Sequence, residues 1–247
     1  MNIVRAMTDR NSIRERVTAS LFENAVQPTE VNNKRLSCQR QRIYACNIQG
    51  RGGTKIPDLK LRTSECDWRV FFETNCRAGD EKSIAMGSQA VSLVSQQDKG
   101  LAYGTAVMAA IFDPEIDFIS YKSQNTEISA VTRKLSGYIL TVIGGYRSPS
   151  LRLDETRRWY AELEELVQTR QRAADDVIIL AMDDNASDKS GFAFRELERM
   201  RRACGGNHVI QEPTRRGRQP DHTVAFYDPL RFTVTGFVLP GLMTTMP

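Results

Sequence analysis

Between residues 176 and 185 the chain reads DVIILAMDDN, in which six apolar residues, Val177 to Met182, stop abruptly on Asp183, Asp184 and Asn185. The run is short for a helix and rich in β-branched residues, so it reads as a buried strand. A buried strand that delivers two acids and an amide at its tip either opens a turn or presents a site at a sheet rim. The pattern recurs. "RIYACN" ends on Asn47, "WRVFFE" on Glu73, and "YILTVIGGYR" on Tyr146 and Arg147. One such ending is a turn; four describe a rim on which a rigid scaffold holds a constellation of side chains.

The other runs fit the same layered plan. "AVSLVS", "GTAVMAAIF", "IDFISYK" and "TEISAVTR" are strands set off by turn-formers, and "DHTVAFYD" and "RFTVTGFVL" are two final strands. Trp159, Leu163, Leu166 and Val167 recur at helical spacing after "RSPS". A second helix, "GFAFRELERMRRACG", is closed by Gly205 and Gly206 as C-caps. Many strands with a few late helices predict an α/β layered sandwich over residues 39–247. Residues 1–38 show weak periodicity and no strand signal, and read as a disordered N-terminal appendage.

Composition narrows the class. At 247 residues, 40% hydrophobic and 26% charged, the chain suits one soluble globular domain with a well-buried core. No apolar run approaches the roughly 20 residues of a membrane helix, so no membrane partner is expected. The start of the chain lacks the pattern of a secretory signal. The five cysteines are odd in number and show no C-x-x-C spacing, which supports neither a disulfide framework nor a zinc site and suits a reducing, intracellular compartment. Arg195, Arg199, Arg201, Arg202, Arg215, Arg216 and Arg218 crowd one C-terminal stretch. They form either a solvated helix face or a phosphate-tracking surface.

"DDNASDKSGF" has alternate oxygen-bearing residues, as a calcium loop does, but Asp188 stands where that loop needs glycine and Phe194 where it needs glutamate. Read instead as Asp-x-Asn at a strand tip, it resembles the "GDFN"-type motif of the endonuclease/exonuclease/phosphatase superfamily. "YACNIQG" resembles that family's first strand, "VFFETN" its metal-binding glutamate strand, "GGYRSPS" its "YRPPS" and "EPTRRGRQPDHTV" its Pro-Thr-Arg segment with a following aspartate. The five occur in the family's order, and the likeness is greatest to the apurinic-type endonuclease domain of non-LTR retrotransposons.

The resemblance implies a four-layered α/β sandwich of the deoxyribonuclease-I-like kind and a phosphodiesterase site. Glu73 would be the main carboxylate ligand of Mg²⁺ or Mn²⁺, with Asn47 beside it. Asp183 would position or deprotonate the attacking water, and Asn185 would hold a phosphate oxygen. Tyr146 would contact the scissile phosphate or the leaving group. Arg147, Thr214 and Arg215 would line the phosphate pocket, and Asp221 would orient a catalytic histidine. The inventory is what the chemistry requires: a nucleophilic water, a cation on the developing charge and donors that hold the phosphate in line. Read plainly, Asn47 is a turn residue, Glu73 a strand-end charge and Tyr146 a core tyrosine at an edge. His222 is not expected to form a dyad with Asp221, because adjacent strand residues point to opposite faces. His208 reads as a loop histidine.

One departure stands out. The family's closing Ser-Asp-His segment and last strand have no counterpart: Met243, Thr244 and Thr245 stand near the place, and no histidine substitutes. Loss of a catalytic acid/base costs on the order of 10²- to 10⁴-fold in rate. Two functions are therefore expected of such a chain. One is a Mg²⁺-dependent endonuclease that nicks DNA, with a reverse-transcriptase domain as partner and a nuclear site of action. The other is an inactive relative that binds nucleic acid or protein. A small-phosphoester phosphatase shares the scaffold, but the Pro-Thr-Arg segment and "YRSPS" speak against it.

Overall fold

The computed structural model describes residues 4–10, 15–21, 41–48, 56, 59, 61, 63–76, 89–94, 104–110, 118–123, 126–186, 188–210 and 221–240. Strands run in chain order β1 (Val4–Arg10), β2 (Glu15–Leu21), β3 (Gln41–Asn47), β4 (Trp68–Phe72), β5 (Gln89–Val94), β6 (Thr105–Ala110), β7 (Phe118–Lys122), β8 (Glu127–Leu135) and β9 (Tyr138–Tyr146). Helix α1 (Leu153–Arg170), β10 (Asp176–Asp183), α2 (Phe192–Ala203), β11 (Asn207–His208), β12 (Asp221–Phe226) and β13 (Phe237–Pro240) follow. They form a seven-stranded sheet, β13-β2-β1-β3-β4-β6-β5, and a six-stranded sheet, β11-β12-β10-β9-β8-β7.

Alternation along the strands builds the layers. Ile43, Ala45, Trp68, Val70 and Phe72 of the first sheet meet Leu140, Val142, Val177, Ile179 and Ala181 of the second in a shared core. The outward residues are buried as well. Ile178, Leu180 and Met182 lie under Trp159, Tyr160 and Leu163 of α1 and Leu197 and Met200 of α2. Tyr44, Cys46 and Phe71 lie under Ile48, Ile56 and Leu59, the last two in a helical segment. Burial on both faces is why the central strands read as unbroken apolar runs.

Helix α1 buries Trp159, Tyr160, Leu163, Leu166 and Val167 along one stripe. Glu155 reaches back to the Arg152 N–H at 2.8 Å to close its first turn. Helix α2 ends as its sequence predicts. Gly205 takes a left-handed φ of 69°, its N–H reaches the Arg202 carbonyl, and the Gly206 N–H reaches that of Arg201.

Three local expectations are corrected. Strands β1 and β2 fall in the stretch read as strandless; β1 pairs with β2 antiparallel and with β3 in parallel. The period-two alternation of Val17, Ala19 and Leu21 with Arg16, Thr18 and Ser20 is the signal for β2, muted by the many charges around it. His208 stands in the two-residue β11 rather than a loop. In "RFTVTGFVL" the closing strand is confined to Phe237–Pro240.

Candidate active site

Strands β3 and β4 run parallel, as do β9 and β10, while β12 runs antiparallel to β10. The sequence pattern of apolar runs ending in polar residues therefore becomes a spatial one. Within the second sheet Asp183 pairs in register with Tyr146 on one side and Asp221 on the other. Glu127 of β8 pairs with Tyr146 and extends the row. The first sheet joins it directly, for Asn47 Nδ2 donates to Asp183 Oδ2 at 2.5 Å. Asn47, Tyr146, Asp183 and Asp221 are each at most 9% exposed. The Tyr146 phenol also hydrogen-bonds the half-buried Glu73.

The rim is held in unusual backbone. Glu73 (φ 50°), Asn75 (φ 49°) and Asn185 (φ 52°) are the non-glycine residues with positive φ among the described residues. All three belong to the loops that leave β4 and β10. Left-handed backbone costs an L-residue about 1–2 kcal/mol, and such strain collects where function fixes the geometry. Bracing is correspondingly dense. The Thr74 N–H reaches the Gly104 carbonyl, and the Gly104 N–H reaches the Glu127 carboxylate at 3.0 Å. Asn185 Nδ2 donates to the Arg147 carbonyl at 3.0 Å. Arg147, expected as a phosphate ligand, is buried, with Nε on the Asp184 carbonyl at 2.6 Å and Nη1 on that of Ser148 at 3.3 Å. Thr214 and Arg215 lie outside the described residues.

Acidic side chains are concentrated here. Burial pushes the Asp183 carboxyl well above the usual carboxylate range; Asp221 and Glu73 push it the same way, against the hydrogen bond from Asn47. Burial likewise raises the Tyr146 phenol, reinforced by Glu73 and Asp183. The donors at hand are carboxylate, amide and phenol oxygens, which suit a hard divalent ion. Among the described residues no group of three or more His, Cys, Asp and Glu side chains forms a metal cage.

Two features lie beyond what the strand-end pattern suggests. Glu127 opens a strand with nothing in the sequence to mark it as part of the rim. Asp184, one residue past Asp183 and facing the other way, accepts from Tyr160 Oη at 2.7 Å and shares a 2.8 Å bond with His222 Nδ1. Burial works against a charged Asp184, but His222 and Tyr160 outweigh it and hold the carboxyl below its ordinary range. Asp221 and His222 accordingly serve opposite faces of β12, as alternation predicts.

The sequence matches no family model and no curated protein. Similar folds are found among solved structures. The endonuclease domain of TRAS1, a telomere-specific non-LTR retrotransposon, aligns over 81% of this chain and 97% of its own, at 16% identity and a TM-score of 0.50. Zebrafish (D. rerio) TDP2, complexed with a single-strand DNA product, aligns over 74% of this chain and 82% of its own, at 15% identity and 0.51. The human Nocturnin catalytic domain, with bound sulfate, aligns over 70% and 73%, at 10% identity and 0.50. Two mixed sheets packed face to face, flanked by helices and carrying polar residues on one rim, give this chain the endonuclease/exonuclease/phosphatase-type fold.

Proposed function

We propose that this chain is a divalent-metal-dependent phosphodiesterase that nicks DNA. The observation that carries the reading is the Asn47–Asp183 hydrogen bond, which brings the polar ends of two sheets into one buried cluster. Glu73 and Asn47 would hold Mg²⁺ or Mn²⁺, which would supply positive charge against that developing on the phosphate. Asp183 orients the attacking water and takes its proton. Tyr146 and Asn185 supply donors to the phosphate oxygens, and Asp221 shapes the charge around Asp183. Arg147 acts through the backbone it braces. The similarity to a retrotransposon endonuclease domain and to a TDP2 complexed with single-strand DNA supports DNA as the substrate; a reverse-transcriptase domain as partner and action in the nucleus are further parts of the proposal.

A second reading rests on one observation: both histidines of this sequence are engaged elsewhere, His222 with Asp184 and His208 with Glu198. A site without an imidazole acid suits a protein that binds nucleic acid and does not cut it. Supercoiled plasmid separates the two. Nicking in Mg²⁺ that EDTA and Asp183→Ala each abolish supports the nuclease. Salt-sensitive binding by the folded chain, with no nicking in Mg²⁺ or Mn²⁺, would falsify it.

A further inference from the structure

Behind the catalytic rim, within the apolar layer between the second sheet and its helices, lies a polar cluster that the proposed reaction does not use. Its centre is Asp184, fully buried between Asp183 and Asn185. Four elements converge on this one residue. Tyr160 Oη comes from α1 at 2.7 Å, His222 Nδ1 from β12 at 2.8 Å, and the Ala186 N–H from the following loop at 3.2 Å. Arg147, at the end of β9, takes the Asp184 carbonyl through Nε at 2.6 Å. The surroundings are apolar: Met182, Trp159, Leu180 and Leu197 belong to the same layer.

Stability does not account for this arrangement. A buried ion pair loses in desolvation about what it gains in attraction, and apolar residues of like volume are often as stabilising or more so. What the cluster achieves is placement. Asp183 and Asp221 face one another in register and repel. On the far side of the same two strands, Asp184 and His222 attract. The backbone turns left-handed at Asn185, the next residue. A tip under repulsion and strain keeps one geometry only if something outside the reacting atoms fixes it.

Resting on the nuclease reading, we infer that Asp184 and His222, with Tyr160, are positioning residues that fix Asp183 and Asn185 in their working geometry. The groups that face His222 are Asp184 just past β10, Asp221 on its own strand, Glu198 from α2 and His208 from β11, whose ring centroid is 6.0 Å away. Burial lowers the proton affinity of His222, but Asp184 more than reverses this and leaves the imidazole above its ordinary range. The charged pair is therefore complete below that raised value and lost as pH rises through it, so the rim loosens on the alkaline side.

The test uses the double variant Asp184→Leu/His222→Leu, which keeps the layer apolar and filled, with Asp184→Asn as a second variant should the double melt below wild type. Amide hydrogen exchange at residues 183–185 is expected to quicken at least ten-fold, and this readout needs no activity. In plasmid nicking, kcat is expected to fall about 100-fold with KM unchanged, the scale of an ångström-sized misplacement. His222→Gln, which keeps a donor toward Asp184, recovers part of that loss, and the alkaline fall in wild-type kcat is absent from the double variant. Unchanged exchange, or full kcat in the double variant, overturns the inference and leaves the cluster as packing. Should wild type itself not nick, the nuclease reading falls, and the exchange measurement alone still decides whether the cluster positions the rim.

Discussion

Asp183 has been placed where its charge is least welcome. It is buried, sits in register with Asp221, feels Glu73, and has a single amide from Asn47 working in its favour. A carboxyl whose proton affinity is raised on folding weakens the fold as pH rises past its unfolded value. Asp183→Asn removes the charge and keeps an acceptor for Asn47. It is expected to melt at a higher temperature than wild type at pH 7 while nicking falls on the order of 10²- to 10⁴-fold. A melting temperature equal to or below wild type would show that the repulsion is not felt. Glu198 is the opposite case. Its hydrogen bond to Arg201 leads, His208 adds to it against burial, and the carboxyl falls to about 2. Its contribution is complete above the ordinary glutamate range and is lost as pH drops towards 2. Glu198→Gln should flatten the acid limb of the stability profile by on the order of 1 kcal/mol, a discounted figure for a partly screened group. An unchanged acid limb would place that stability elsewhere. At this scale the sequence is legible where an apolar run stops: Asn47, Glu73, Tyr146 and Asp183 each declare themselves so, while Asp221, which opens β12, is marked only by the resemblance of its segment. Alternation also separates Asp221 from His222. The pairing of His222 with Asp184 spans 38 positions, and no local pattern carries it.

Strand β9 shows how an element pays attention to both its faces. Its inner face passes close to the first sheet at Gly144, where a Cβ would come within 2.7 Å of both Thr105 Cγ2 and Val70 Cγ1. Its outer face lies under α1 at Gly145, where a Cβ would come within 2.9 Å of the Trp159 ring. Both glycines precede Tyr146, so the close approach of sheet to sheet and helix to sheet occurs just below the rim. Gly144→Ala must push the sheets apart or rotate two packed β-branched side chains, and is expected to destabilise by about 1–3 kcal/mol. Because the push acts between β9, which ends on Tyr146, and β4, which leads to Glu73, nicking should fall along with the denaturation midpoint. A midpoint within experimental error of wild type would mean the sheets yield without cost. The long buried elements were readable because their patterns are strong. α1 carries a full apolar stripe, and β10 is apolar on both faces. β11 has two residues and no period to read, while β1 and β2 carry so many charged and hydroxyl side chains that pairing, rather than pattern, defines them.

At the level of the whole molecule, the two sheets share one core, yet at the rim they meet through polar groups. The Asn47–Asp183 bond crosses between them, and Gly104–Glu127 crosses nearby. Acidic groups therefore accumulate on the seam of the sandwich: Glu73 from the first sheet, Asp183, Asp221 and Glu127 from the second. A divalent cation held by Glu73 and Asn47 would ease repulsion across that seam and would bind only when the sheets are assembled. Ligands that bind the folded state alone stabilise it by mass action: at ten times the dissociation constant, about 1.4 kcal/mol. For a domain of this size that corresponds to a rise of about 3–6 °C in Tm. The rise is expected with MgCl₂ or MnCl₂ against NaCl of equal ionic strength, to be reversed by EDTA, and to vanish in Glu73→Gln. Screening alone would raise both proteins equally in either salt, so an equal shift in wild type and Glu73→Gln would remove the cation from the seam. A shift confined to wild type would instead tie the chemistry proposed for the rim to the stability of the entire sandwich.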